Sequence, residues 1–298
     1  MSDATGGGPG SSEARLPARW SQERRLAFID FRLRWDGQLN RADLTGFFGI
    51  SVPQASLDIA RYVELAPANL QYDRSARIYL ATPRFRALFE TSAPARFLGD
   101  LLAAAAGSDA HSPTRLTYLP PVAVASGPTR QVNVDVLVAL HQAIRQRSAL
   151  RVTYQSLTRP RPAERVLSPH AFGHDGHRWH VRAYCHERAD FRDFVIARMF
   201  CAHVDPADGS GQEHDASWNT SVRLVLIPHL GLSQAHRRAV ELDYGMERGQ
   251  LNLTCRQSML LYVLRHLRLD HAAASGPGQQ ISLKNQREVG RHMAALGL

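Results

Sequence analysis

Lysine is almost missing from this chain of 298 residues. Lys284 is the only one among 36 Lys plus Arg, so arginine carries the formal charge of +9 and a pI near 10.1. Such a balance favours a polyanionic partner. An Arg- and Ala-rich, Lys-poor chain is also what a GC-rich genome produces, so the charge counts only where a motif localises it. Cysteine is scarce as well. Cys185, Cys201 and Cys255 are too widely spaced for a disulfide framework or a zinc ribbon. No run of 18 apolar residues is present to cross a membrane, and the Gly/Ser-rich start lacks a basic-then-apolar leader. A cytoplasmic protein without a membrane partner is expected.

Catalytic signatures are missing too. The chain has no Cys-x-x-Cys or His-Glu-x-x-His pattern, no phosphate-cradling glycine loop, and no Gly-x-Ser-x-Gly elbow around Ser156 or Ser168. Histidines do gather between His170 and His203, near Cys185 and Cys201. In a strand reading, however, His174 falls in a turn, His180 faces the polar side and Cys185 the apolar side, so no ligand set converges. Carboxylates there are too scattered for a metal-dependent nuclease. The reading expects no enzyme, metal or cofactor. Recognition of a polyanion remains.

What is present centres on Leu150–Val204, and within it on Arg178-Trp179-His180-Val181-Arg182-Ala183-Tyr184-Cys185. This stretch alternates strictly. Trp179, Val181, Ala183 and Cys185 share one strand face suited to burial, while Arg178, His180, Arg182 and Tyr184 share the other. Gly173-His174-Asp175-Gly176 supplies a hairpin turn, because Asp-Gly accepts positive φ. Strands are expected at Ala149–Leu157 and Glu164–Phe172, with Asp193–Val204 as one further buried strand. Together they make a small antiparallel sheet or barrel with polar groups on one surface.

Trp179-His180-Val181, followed by Arg182-Ala183-Tyr184-Cys185, Phe191-Arg192-Asp193-Phe194 and Arg198, resembles the pattern of the WYL domain. The resemblance implies an Sm-like β-barrel of the kind found in bacterial transcription regulators, sensing nucleic acid or nucleotide-like ligands. It places Tyr154, Ser156, Arg165, His170, Arg182, Tyr184, Arg192 and Arg198 at ligand-contacting positions. The chemistry agrees, since a planar guanidinium donates paired hydrogen bonds to phosphate and aromatics beside it stack on bases. Some of these arginines would instead pair with Glu187, Asp190 or Asp193 at the surface.

Towards the N-terminus, residues 1–20 read as a tail. Ser21 caps a helix to Trp35, with Leu26, Ile29 and Leu33 on its buried stripe and Arg24, Arg25 and Arg32 among its exposed residues. Asp36-Gly37 breaks it. A second helix, Arg41–Phe48, is followed by Gly49-Ile50, and Ser51 caps a third with Pro53 in its first turn. There Ala55, Ile59 and Tyr62 or Val63 face inward while Gln54, Asp58 and Arg61 face outward. Strands Asn69–Tyr72 and Ile78–Ala81 flank a basic tip, Asp73-Arg74-Ser75-Ala76-Arg77. Three helices and a ribbon form the winged helix-turn-helix order. Ser51, Gln54, Ser56 and Arg61 would face the major groove, with Arg74 and Arg77 on backbone or minor groove. A three-helix cap with a solvated hairpin would share the pattern.

The expected fold is α+β and multidomain: a tail (1–20), a winged helix (21–92) and a helical, Pro-rich linker (93–130), then a WYL domain (131–205), a linker (206–220) and a small α/β domain (221–298). A short helix over Pro83–Glu90 and helices at Pro94–Ala106 and Val132–Arg147 complete the middle. The last segment reads strand Val222–Ile227, helix Ser233–Tyr244, strand Gln250–Arg256, helix Ser258–Leu269, a Gly/Pro loop and helix Asn285–Leu296. It resembles the dimerising extension of WYL regulators, although a self-contained α+β core fits the residues equally well.

As a whole the chain resembles the WYL repressors associated with BREX and CBASS phage defence. The implied function is a homodimeric repressor of a defence operon, bound to double-stranded operator DNA and relieved by a nucleic-acid or nucleotide effector. A single-stranded nucleic-acid-binding effector without promoter regulation is the alternative.

Overall fold

The computed structural model describes residues 18–90, 93–105, 115, 118–125, 127–128, 130–209, 211–270 and 278–297. Residues 1–17 of the expected tail (1–20), and most of the Pro-rich stretch before Tyr118, lie outside them. The chain divides into two compact units, the first ending at Gly127 and the second beginning at Pro128.

The first unit contains α1 (Ala18–Trp35), β1 (Gln38–Leu39), α2 (Arg41–Phe48), α3 (Val52–Leu65), β2 (Leu70–Asp73), β3 (Ile78–Ala81) and α4 (Pro94–Ala105). Local chemistry sets the helix ends. Asn40 and Asp43 form a reciprocal capping box at α2, Gly49 closes it at φ 65°, and the Ser51 hydroxyl accepts from the Gln54 amide at the start of α3. Ile29 and Leu33 of α1, Leu44 of α2, and Ala55, Ile59 and Tyr62 of α3 make one core. Phe31 faces away from it, into a second cluster with Leu101 of α4. Trp35 stacks on Phe97 there, at 4.1 Å between centroids.

Four expectations change in this unit. Helix α1 begins at Ala18, inside the expected tail and ahead of Ser21, which was expected to cap it. Arg25, Arg32 and Asp58 are buried rather than exposed. Arg25 grips Asp58 with two hydrogen bonds (2.6 and 3.2 Å), and Arg32 pairs with Asp36 (3.0 Å) and Asp43 (2.9 Å). Periodicity sees only one helix, whereas these charges are buried by partners on neighbouring elements. Residues 83–90 do not form the expected helix, because side chains take its amides: Asn69 accepts from Arg86 N, and Asp30 from Leu88 N and Phe89 N. The ribbon is also wider than two strands, since β1 pairs with β3 through Gln38↔Leu80.

The second unit opens with α5 (Val134–Gln146), capped by Asn133. Five antiparallel strands follow: β4 (Ser148–Tyr154), β5 (Ala163–His174), β6 (Trp179–Cys185), β7 (Asp190–Val195) and β8 (Met199–Asp208), in the order β7-β6-β5-β4-β8. Val136, Leu140 and Ala143 of α5 pack on Val152, Leu167, Val181 and Ala183 of the sheet. The single strand expected over Asp193–Val204 is broken by a 3-10 turn, Ile196–Arg198, which joins β7 to β8. Among the described residues no ladder closes β7 on β8, so the sheet is antiparallel as expected while barrel closure is not seen. At the β5–β6 hairpin, Gly176 supplies the positive φ (90°) expected of Asp-Gly.

After β8 come α6 (Ala216–Asn219), β9 (Ser221–Pro228), α7 (Gln234–Asp243), β10 (Leu251–Arg256), α8 (Leu260–His266), β11 (Ile281–Leu283) and α9 (Gln286–Ala294). The C-terminal sheet runs β10-β9-β11 around Val222, Leu224 and Leu226, covered by Val240, Leu260, Leu264 and Val289. Strand β11 lies where only a Gly/Pro loop was expected. Three residues are too few for an alternation signal, and pairing to β9 creates the strand. The expected helix Ser258–Leu269 is shorter, with a 3-10 turn over Gln257–Met259 at its start.

Candidate nucleic-acid interface and effector site

The exposed side of the first unit is built on α3 and the β2–β3 ribbon. Ser51, Val52, Pro53, Leu57 and Arg61 are exposed, with Gln54 and Ser56 half-buried. Ser56 is fixed twice: its hydroxyl donates to Val52 O and accepts from Arg41 Nε at 2.8 Å. The Arg41 guanidinium continues to Tyr79 on β3 (3.1 Å), tying α2, α3 and the wing together. Gln54 Nε2 donates to Asp58 (3.2 Å), so the Arg25–Asp58 pair orients the amide from below. Its carbonyl and second N–H are the groups that a base edge could meet. Arg61 pairs with Glu64 at the surface (2.8 Å). At the wing tip the Asp73 carboxylate accepts from Ser75 N and Ala76 N, which holds the turn and leaves Arg74 and Arg77 exposed. The six residues expected to meet DNA therefore lie on α3 and the wing of one unit. Arg41 was missed. A basic residue just after an Asn N-cap gave no sign that its side chain would reach Ser56 and Tyr79.

On the five-stranded sheet the expected ligand residues do not form one open set. Tyr154 lies in the core, edge-on to Phe194 at 5.2 Å. Arg182 is buried on β6, where Asp215 receives it bidentately (2.7 and 3.1 Å), Asp193 adds a contact at 3.3 Å, and Ser217 Oγ accepts at 2.6 Å. His170 is the extra residue of a β-bulge between Pro169 and Ala171, and its Nε2 donates to the same Asp215 at 3.0 Å. Arg165 and Arg159 both engage Glu187. Ser156 contacts Thr158 and accepts from Arg159 N. Arg192 pairs with Asp190 at the surface, Tyr184 meets His186 and Phe191 edge-on, and Arg198 is half-buried. Arg182 and His170 thus converge, while the others are dispersed.

Asp215 is the group that sequence reading passed over. It stands within 206–220, expected to be a linker, yet it caps α6 by accepting from Trp218 N and is 1% exposed. Burial alone would raise its carboxyl. Hydrogen bonds from His170 and Arg182, the guanidinium charge and the Trp218 N–H outweigh that and hold it well below the usual carboxylate range. Trp218 continues the contact, with the Arg256 guanidinium 4.4 Å over its ring. The spacing from Asp215 to Trp218 is that of a helix N-cap, a signal hidden by the polar composition around it.

A second carboxylate organises the β5–β6 turn. Asp175 accepts from His177 N, Arg178 N, Arg178 Nε (2.9 Å) and His180 Nε2 (3.0 Å). Desolvation opposes its charge, but the His180 bond and these N–H groups keep it well below the ordinary range. The His180 ring lies 5.0 Å from Tyr262 of α8, whose hydroxyl donates to Asp193 at 3.1 Å. Burial, then the charge of Asp193, raises that phenol. Among the described residues no group of three or more His, Cys, Asp or Glu converges on a metal position, and no helix is long and apolar enough to cross a membrane.

Known proteins share this layout. The model of the BrxR transcriptional regulator winged helix-turn-helix domain matches residues 21–103, that of the WYL domain residues 135–204, and that of the BrxR transcriptional regulator C-terminal dimerization domain residues 221–289. A DNA-binding transcriptional repressor CapW from Pseudomonas aeruginosa is 48% identical over 281 residues, covering 94% of this chain and 94% of its own length. Proteins of the same name from Stenotrophomonas maltophilia (47% over 285 residues, 95% of each chain) and Escherichia coli strain KTE188 (44% over 281 residues, 94% of each) match similarly. With a winged helix, a WYL domain and this C-terminal domain in one chain, the protein belongs to the BrxR/CapW family of WYL-domain transcriptional regulators.

Proposed function

We propose that this protein is a sequence-specific DNA-binding repressor acting as a homodimer. The observation that carries the reading is its 48% identity, over 94% of both chains, to a protein named as a DNA-binding transcriptional repressor. The first unit supports it physically, because α3 presents Gln54 and Ser56 on a frame braced by Arg25–Asp58 and Arg41–Tyr79. Base contacts come from Ser51, Gln54 and Ser56, and phosphate contacts from Arg41, Arg61, Arg74 and Arg77. Dimerisation through the C-terminal domain sets the spacing of two such units on a palindrome. The domain limits are 21–92, 131–205 and 221–298, with the intervening segments as connectors.

The controlled genes form a phage-defence operon, and a nucleic-acid or nucleotide effector at the WYL domain relieves repression. For that to work, the effector must bind one dimer conformation better than the other. The test is binding of the purified protein to duplex from upstream of its own gene, against scrambled duplex and single strand, across a salt series. Tight duplex-specific binding by one dimer per palindrome is expected. Equal binding to scrambled duplex, or a preference for single strands, would overturn the repressor reading.

A further inference from the structure

We propose that the outer end of β6 is a seat for one unstacked nucleobase and its attached phosphate, built on Trp179, Arg178 and Arg130. The inference rests on the effector reading above for what the ligand does, and on the geometry below for where it binds.

Trp179 is out of keeping with its strand. Its alternation partners Val181, Ala183 and Cys185 are 0–1% exposed in the core, yet the indole is 54% exposed. An uncovered indole is a stacking surface for any base, since every base has a π-face. The His174 ring supports it at 4.8 Å, inclined by 45°. Beside it lies a concavity of about 240 Å³, with Val195 and Ala197 as apolar walls and Arg130, Arg178 and His177 as the polar ones. That is below the roughly 300–1,000 Å³ of clefts for drug-sized ligands, and so suits a single base rather than an extended ligand.

Two of the sheet's expected ligand arginines are already engaged. Arg182 is held by Asp215 and Asp193, and Arg165 by Glu187, so a phosphate could reach either only by displacing a carboxylate. Among the described residues no carboxylate lines the Trp179 concavity. Asp175 engages Arg178 through Nε, and among the described residues the terminal nitrogens of Arg178 and the whole Arg130 guanidinium have no protein acceptor. Two guanidiniums beside a stacking ring are the donors that a nucleotide phosphate needs.

The seat is also wired to the C-terminal domain. The Asp175 that holds Arg178 also holds His180, whose ring meets Tyr262 of α8. The same turn, through His174 and Gly176, walls an apolar cavity of about 270 Å³ with Met259, Tyr262, Val263 and His266. A phosphate drawing on Arg178 would loosen the Asp175 pairings and so shift the turn against α8.

The experiment uses the full-length protein and a fluorescein-labelled eight-nucleotide single strand, read by anisotropy and by tryptophan quenching. Competitors are AMP, inorganic phosphate and an abasic strand of equal length. Trp179→Ala should weaken strand binding about tenfold or more, with Trp179→Phe retaining most of it. Arg130→Ala should weaken binding and reduce the salt slope by about one. Competition by AMP would identify a free nucleotide as sufficient, and its failure would assign the seat to a strand. Unchanged binding by Trp179→Ala, no wild-type binding, or an abasic strand bound as tightly as the intact one would each overturn the proposal. If Trp179→Ala does not fold, Trp179→Phe and Arg130→Ala carry the test, and full strand affinity in Arg130→Ala then overturns it. Operator binding is followed in parallel. Trp179-dependent strand binding without operator release would end the effector reading and leave the seat standing.

Discussion

At the scale of single residues, Arg182 shows how burial changes a role. Alternation placed it on a polar face with His180 and Tyr184, among the expected ligand contacts. In the structure it joins β6 to Asp215, Asp193 and Ser217. Removing one partner of a buried pair leaves a charge without compensation, at a cost of about 3–5 kcal/mol. Arg182→Ala should therefore lower the unfolding free energy by that order in urea titration; a variant as stable as wild type would sink this view. The depressed carboxyl of Asp215 adds a pH signature. A carboxyl whose folded pKa lies below its unfolded value of about 3.9 stabilises fully above that value, and the contribution fades as pH falls through the folded pKa. Wild type should exceed Asp215→Asn in stability at pH 7 and pH 5, with the gap narrowing only below about pH 4. A gap unchanged at pH 3 would speak against the shift.

At the scale of elements, α3 and the β2–β3 wing were legible because their signals are local. Ser51, Pro53, Gly49 and the Asp73–Arg77 tip act within a few residues of themselves. Not legible was what braces them: Asp58 read as an outward residue until Arg25 of α1 claimed it. Residues 83–90 likewise read as helix because the donors' acceptors, Asn69 and Asp30, lie far away in the chain. Two predictions belong here. Gln54→Ala should cost about 1–3 kcal/mol on operator duplex and little on scrambled duplex, if the amide reads a base edge. Arg74→Ala should weaken both duplexes alike and reduce the salt slope by about one. Electrophoretic mobility shift across a salt series separates the two patterns, and a sequence-selective loss from Arg74→Ala would move the wing into base readout.

For the whole molecule, the C-terminal domain carries uncovered leucines: Leu230 at 71% and Leu242 at 66% exposed. Exposed leucines in a domain of the BrxR dimerization family fit a surface that a second copy covers. Sedimentation should show a dimer, with a melting temperature that rises with protein concentration. Leu230→Arg or Leu242→Arg should shift it towards monomer and weaken operator binding. If both variants remain dimeric, the interface lies on another face.

Sequence alone determined the domain order, the Ser51 cap of α3, the β5–β6 turn and the apolar alternation of β6. Each depends on neighbours in the chain or on strict alternation. Tertiary structure alone decided which polar groups are spoken for. Arg182, Arg25 and His170 are committed by carboxylates distant in sequence, and Asp215 turns part of an expected linker into an element docked on the sheet. It also decided that Trp179, alone of its strand face, stays uncovered. Alternation assigns a side to a residue, but burial depends on whether another element arrives to cover it.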